Sequence, residues 1–328
     1  MESIDILNIN DLKVSYRNDK GFVQVLRGVD ITLKKQEILG IIGESGSGKT
    51  VTASTVLRLT DDDSVRIDSG SIKFSDMELT NLPEKDMRKI RGKRISYIFQ
   101  DAGAALNPYK RIGVQLKEVL KVHKEKVSMD RIITALTKAG IENAEVICNM
   151  YPWQLSGGLC QRAVIAMSTI FSPEIIIADE PTTAIDASLQ KKVLDLLKDI
   201  NEEDKASIII ITHDFDVVRY ICNRVTVMYG GLVMEEGTSD QVLNHPLHPY
   251  TKELIYCAES LDDNEENLYS LEGAAPSPDE FKDQCPFYDR CKYRCDKCSS
   301  KIPEIKNIDN RKVRCILTEG DDTIENPG

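Results

Sequence analysis

An α/β fold with a central parallel sheet is predicted by three apolar runs, each of which ends where polar chemistry begins. Ile38, Leu39, Gly40, Ile41 and Ile42 lead into Gly43, Glu44, Ser45, Gly46, Ser47, Gly48, Lys49 and Thr50, and a helical stretch follows at 51–59. Residues 174–178 lead into Asp179 and Glu180, and residues 207–212 lead into His213. No polar residue interrupts Ile175, Ile176 and Ile177, so this run reads as a strand buried on both faces, as parallel strands are.

The first junction fits the phosphate-loop pattern Gly-x4-Gly-Lys-Ser/Thr in its required setting of strand, glycine turn and helix. Glycines reach the positive φ values that turn successive backbone N–H groups onto a phosphate chain. The helix N-terminus adds partial positive charge. Lys49 would reach the β and γ phosphates, and the Thr50 hydroxyl would ligate Mg²⁺. Taken alone, the pattern specifies only a nucleoside triphosphate.

At the second junction, Asp179 suits a magnesium shell, and Glu180 beside it can polarise an attacking water. Between the two junctions lies Leu155, Ser156, Gly157, Gly158. In this order the motifs resemble those of the nucleotide-binding subunits of ATP-binding cassette (ABC) transporters, a resemblance that spans roughly residues 5–250. Further positions match. Tyr16 resembles the aromatic that stacks on adenine, and Gln100 the glutamine that senses magnesium and couples to the membrane subunits. Asp186, in Ala184, Ile185, Asp186, matches the loop that crosses to a partner, with Ile where the family more often has Leu. His213 matches the histidine that contacts the γ-phosphate.

The resemblance implies a P-loop NTPase fold of the ABC type, with a nucleotide-binding domain at 1–258. That domain has a β-rich edge around Tyr16 and an inserted helical subdomain at about 101–172. It implies ATP held by Tyr16, Gly43, Ser45, Gly46, Ser47, Gly48, Lys49 and Thr50, and Mg²⁺ held by Thr50, Gln100 and Asp179. Glu180 would act on the water, and Lys49 and His213 on the γ-phosphate. Ser156, Gly157, Gly158 and Asp186 would serve the nucleotide of a second ATPase subunit in a head-to-tail pair. Leu159 and Cys160 depart from the usual Met and polar or basic residue of the peptide importers, and Trp153 from their frequent His.

Element by element, residues 11–34 read as β structure, 61–86 as polar and turn-rich, and 108–170 as helical, including 127–139 and a helix opened by Ser156. A helix at 188–201 separates the second and third core strands, and 224–228 with 232–236 reads as a hairpin around Gly230 and Gly231. No internal repeat supplies a second cassette. A net charge of -11 argues against a nucleic-acid surface. No apolar run approaches the roughly 18 residues of a spanning helix, and the first five residues lack a signal-peptide pattern. A peripheral protein at the cytoplasmic face of the membrane is the expectation.

Two segments resemble the oligopeptide and dipeptide importers in particular: Phe99, Gln100, Asp101 with Leu106, Asn107, Pro108, and His245, Pro246, Leu247, His248, Pro249, Tyr250. The implied partners are a second ABC ATPase subunit, two membrane permeases and, indirectly, an extracytoplasmic substrate-binding protein. A nickel or other small-solute importer is the alternative within the group, and a soluble ABC ATPase acting on a macromolecule is the alternative outside it. Pro246 and Pro249 oppose a helix that would bring both histidines onto one face.

Beyond 259 the composition shifts, with an acidic linker containing Asp262, Asp263, Glu265 and Glu266 opening a cysteine-rich extension at 259–328. Cys285, Cys291, Cys298 and Cys315 are spaced C-x5-C-x6-C-x16-C, with Cys295 as a spare. Metal binding accounts for them better than disulfides in a reducing compartment. The resemblance of Cys285, Pro286, Phe287 and Arg290, Cys291 to the importers' C-terminal motif implies a 4Fe-4S cluster. Zinc is the alternative, because Cys295 and Cys298 form a C-x2-C pair.

Overall fold

The computed structural model describes residues 4–19, 21–60, 63–183, 186–262 and 271–317. Ala184, Ile185 and the acidic linker residues Asp263, Glu265 and Glu266 lie outside them. The chain divides into two compact units, one formed by 8–32, 39–72 and 212–328, the other by 1–7, 33–38 and 73–211.

In the first unit the strand Ile38–Ile42 pairs in parallel with Arg224–Tyr229, in the register Leu39 to Arg224 and Ile42 to Val227. Arg224–Tyr229 turns through Gly230 and Gly231 into the antiparallel strand Leu232–Thr238, which is the predicted hairpin. Sequence reasoning missed the continuation. Leu232–Thr238 also pairs with Arg311–Val313, which pairs in turn with Lys306–Ile308, so the extension adds two short strands to this sheet. Arg314 strengthens the dock, its amide donating to the Met234 carbonyl at 2.7 Å and its Nε to the Val233 carbonyl at 2.9 Å.

A second sheet places Asp5–Asn18 between Gly21–Lys34 and Val65–Phe74. The strand at 65–74 corrects the expectation of a turn-rich 61–86, as do Met77–Glu78 and the helix Glu84–Ile90. Ser69, Gly70 and Ser71 interrupt the alternation there, while Ile72 and Phe74 still turn inward.

The other unit carries three parallel strands in the order Ile95–Ile98, Ile175–Asp179, Ser207–Ile211. Every residue of Ile175–Asp179 is buried, which a strand covered on both faces requires. Helices occupy Ile112–Val122, Met129–Lys138, Gly157–Thr169 and Ala187–Glu203. Met129–Lys138 shows why such sequences fold locally. Ser128 caps it by accepting from the Arg131 amide at 3.5 Å, Ile132, Ala135 and Leu136 share its buried face, and Gly140 follows with φ 77°.

Candidate functional site

The loop at 43–50 is a closed cradle. Gly43 has φ 148°, and a Cβ there would stand 2.2 Å from the Met228 carbonyl oxygen, so only glycine fits beside the neighbouring strand. Gly48 caps the helix Lys49–Val56 at φ 102°. Ser47 and Gly48 are buried and Lys49 is 7 % exposed, whereas Ser45, Gly46 and Thr50 lie at the surface. The Lys49 Nζ donates to the carbonyls of Gly43 at 2.8 Å and Glu44 at 2.9 Å, folding the ammonium over its own loop.

Two other predicted residues belong to the same unit. Tyr16 is half-buried; burial raises its phenol pKa, and a hydrogen bond with Ser54 on the loop's helix works against that rise. His213 is exposed, and the amide of Thr212 before it donates to the carbonyl of Ile41 on the P-loop strand at 3.2 Å. Asp214 then caps the helix Phe215–Ile221.

In the other unit the strand Ile175–Asp179 delivers two differently held carboxylates. Asp179 is 5 % exposed and accepts from the Tyr97 hydroxyl at 2.8 Å. Glu180 adopts the left-handed φ of 47°, a conformation that costs a side-chain-bearing residue about 1–2 kcal/mol. Its Oε2 accepts from the Gln100 Nε2 at 2.7 Å and from the Thr183 hydroxyl at 2.8 Å. The structure thus brings Gln100, read as a magnesium ligand, onto the carboxylate read as the water-polarising group. Tyr97 was not anticipated.

Leu155, Ser156, Gly157 and Gly158 open the helix Gly157–Thr169. The Ser156 hydroxyl accepts from the Leu159 amide at 3.4 Å. Ser156 and Gly157 are exposed, and nothing lies within 4 Å of where a Gly157 Cβ would be. Gly158 is the opposite, because its Cβ would fall 2.1 Å from a Leu189 methyl on the helix Ala187–Glu203. Asp186 caps that helix, its Oδ1 accepting from the Leu189 amide at 3.0 Å. Cys160 is buried, and Trp153 is 70 % exposed and stacked on Tyr151.

In the extension, Cys285, Cys291, Cys298 and Cys315 line one cavity of about 10 Å³ together with His248. None of the nine cysteines is joined in a disulfide. Burial pushes the Cys285 thiol up to about 12 and the Cys291 thiol up to about 11. Cys295 lies outside the cavity lining, with its Sγ 3.5 Å from that of Cys298. Among the described residues no group of three or more His, Cys, Asp or Glu is placed to hold a metal ion.

Glu235 accepts from the amides of Leu247 at 2.8 Å and His248 at 2.9 Å, which fixes the turn before the helix Pro249–Asp262. No helix spans His245 to His248, as the two prolines predict, and Pro249 opens the next helix, where a first-turn residue needs no N–H partner. His248 is buried and His245 exposed, so they share no face. The His248 Nδ1 accepts from the Tyr250 amide at 3.0 Å, and its buried Nε2 has no partner among the described residues.

Comparison with known proteins decides the family. Residues 26–183 match the family described as ABC transporter. The oligopeptide transport ATP-binding protein AppD of Bacillus subtilis is 40 % identical over 318 residues, covering 96 % of this chain and 97 % of its own. The chain belongs to the ABC transporter family.

Residues 234–298 of this ABC protein match the oligopeptide/dipeptide transporter C-terminal region. The oligopeptide transport ATP-binding protein OppD of Escherichia coli is 39 % identical, covering 91 % of this chain and 89 % of its own. Among solved structures, a dimeric ATP-binding cassette in a post-hydrolysis state bound to ADP and Pi is similar at TM-score 0.63 and 27 % identity, covering 71 % of this chain and 98 % of its own. The chain has the ABC ATPase cassette fold and is an ATPase of the transporter class. No helix among the described residues is long and apolar enough to cross a membrane.

Sequence reasoning about this cassette also overlooked Glu44, Tyr229, Tyr250 and Arg290, which form one connected group around the P-loop. Arg290 stands directly before Cys291, but nothing local to it names a partner.

Proposed function

We propose that the chain energises peptide import across the cytoplasmic membrane as a peripheral ATPase subunit. Its partners would be a second ATPase subunit, two permeases and, indirectly, an extracytoplasmic binding protein. The similarity to oligopeptide transport ATP-binding proteins over nearly the whole chain supports the solute class.

The hydrolytic reading is carried by the Gln100–Glu180 hydrogen bond of 2.7 Å beside the buried Asp179. A carboxylate oriented by an amide donor and a threonine hydroxyl is suited to hold an attacking water in line with a phosphate. Lys49 and His213 would take the γ-phosphate, and the amides of 43–50 the phosphate chain. Thr50, Gln100 and Asp179 would hold the Mg²⁺, which offsets phosphate charge when bound. Tyr16 would stack on the adenine. Ser156, the amides of Gly157 and Gly158, and Asp186 would reach nucleotide held by the partner. Glu180→Gln tests the assignment: ATP binding should persist while turnover stops, and unchanged hydrolysis removes Glu180 from the role.

The reading includes a domain at 1–258, comprising the β-rich edge and a helical subdomain at about 101–172, and an extension at 259–328 that binds a metal group. What supports this reading is that four cysteines and His248 line one cavity, although as placed they form no metal-holding group. A 4Fe-4S cluster on Cys285, Cys291, Cys298 and Cys315 is the assignment, and it would brace the extension. The 3.5 Å approach of the Cys295 and Cys298 sulfurs favours zinc as the second reading. Anaerobic purification with iron, sulfide and zinc analysis separates them; colourless, zinc-loaded protein would remove the cluster.

A further inference from the structure

Arg290 lies in the C-terminal extension, next to Cys291, and its guanidinium reaches the P-loop. Nη1 meets the Glu44 Oε2 at 2.7 Å and Nη2 meets the Oε1 at 3.2 Å, a two-pronged ion pair across 246 residues of sequence. The remaining donors are also used: Nη1 to the Tyr229 hydroxyl at 3.1 Å, Nη2 to the Leu271 carbonyl at 3.3 Å, and Nε to the Glu272 carbonyl at 2.9 Å. A guanidinium has five N–H groups, and each has an acceptor here. The Arg290 side chain is 9 % exposed, so this is a built contact rather than a surface encounter of long side chains.

Glu44 is held on its other sides too. Its amide donates to the Tyr250 hydroxyl at 2.9 Å, and its carbonyl accepts from the Lys49 Nζ at 2.9 Å. Tyr250 packs against Tyr229 and Phe287 with ring centroids 4.5 and 5.3 Å away, and Phe287 lies between two of the cavity cysteines in sequence. An unbroken set of contacts therefore runs from the extension through Arg290 and Glu44 to the lysine of the phosphate loop.

We propose that Arg290 is a positioning residue for the nucleotide site, through which the C-terminal extension holds the P-loop in its phosphate-binding shape. Arg290 does not itself reach the phosphates. Its grip fixes Glu44, whose backbone sets the direction of the loop amides and the resting place of Lys49. The inference rests on residues 43–50 being the phosphate site. Loss of the grip should weaken ATP binding and raise KM, with kcat changed less, because the groups that act on water lie elsewhere in the sequence.

The test measures affinity for a fluorescent ATP analogue in the full chain, with Tm recorded on the same samples, and KM and kcat in the assembled transporter. Arg290→Met and Glu44→Gln should each weaken binding about tenfold, equivalent to about 1.4 kcal/mol. The double variant should fall short of the product of the two single effects, since both remove the Arg290–Glu44 pair. Arg290→Lys, which keeps charge but not the fork, should recover only part of the loss. Unchanged affinity in Arg290→Met despite a lower Tm, or additive effects in the double variant, would overturn the proposal. If Arg290→Met does not fold, Glu44→Gln decides alone, and unchanged affinity there overturns it as well. Lys49→Ala is measured in parallel. Should it bind the analogue like the wild type, the phosphate-site reading itself fails, and the proposal with it.

Discussion

Residues 43–50 and 155–158 are both glycine-rich turns that end on the N-terminus of a helix, yet they differ in what they leave open. In the first, Ser47, Gly48 and Lys49 are buried, the lysine is satisfied by its own loop, and Glu44 is fastened by Arg290 and Tyr250. In the second, Ser156 and Gly157 face solvent, and only Gly158 is packed. A loop that must enclose a phosphate chain is organised before the ligand arrives, which lowers the ordering cost of binding. On the proposed reading, a turn that serves a nucleotide on another subunit keeps its donors outward. The two similar motifs thus differ in burial and packing, as two unlike halves of a proposed site would.

The comparison can be sharpened by substitution, beginning with the largest effect. Glu180→Gln should lower hydrolysis by about 10²–10⁴-fold while nucleotide affinity holds, and the ATP-bound pair should accumulate on a sizing column. Gly158→Ala should destabilise the chain by about 1–3 kcal/mol, because the new methyl meets Leu189, and thermal melting reads that directly. Ser156→Ala removes the cap on the Leu159 amide and should cost about 0.5–2 kcal/mol, a smaller fall in Tm. Gly157→Ala should leave Tm unchanged, having open space for its methyl, and should slow hydrolysis only when a partner ATPase is present. A fall in Tm for Gly157→Ala equal to that of Gly158→Ala would break the comparison.

What was legible in the sequence was what is local. The P-loop, the Asp179–Glu180 pair and the 155–158 turn are contiguous, and the backbone conformations they need are written in their glycines and apolar runs. The strand Val65–Phe74 was hidden because Ser69, Gly70 and Ser71 break its alternation. The three-residue strand Arg311–Val313 is too short to show a period, and its pairing with Leu232–Thr238 supplies the signal. The Gln100–Glu180 and Arg290–Glu44 pairs join residues far apart in the chain, and no spacing rule connects them. The prolines at 246 and 249 were informative, since no helix spans His245 to His248 and Pro249 starts the next one.

On the proposed reading, the exposed turn at 155–158 is donated to another subunit, so that one chain alone is half of an ATPase. The most direct test is the specific ATPase activity of the purified chain, with its molar mass measured by light scattering in the same sample. A monomer should bind ATP and turn it over poorly, and activity should appear only as a paired species forms. Full turnover in a demonstrably monomeric sample would contradict the account.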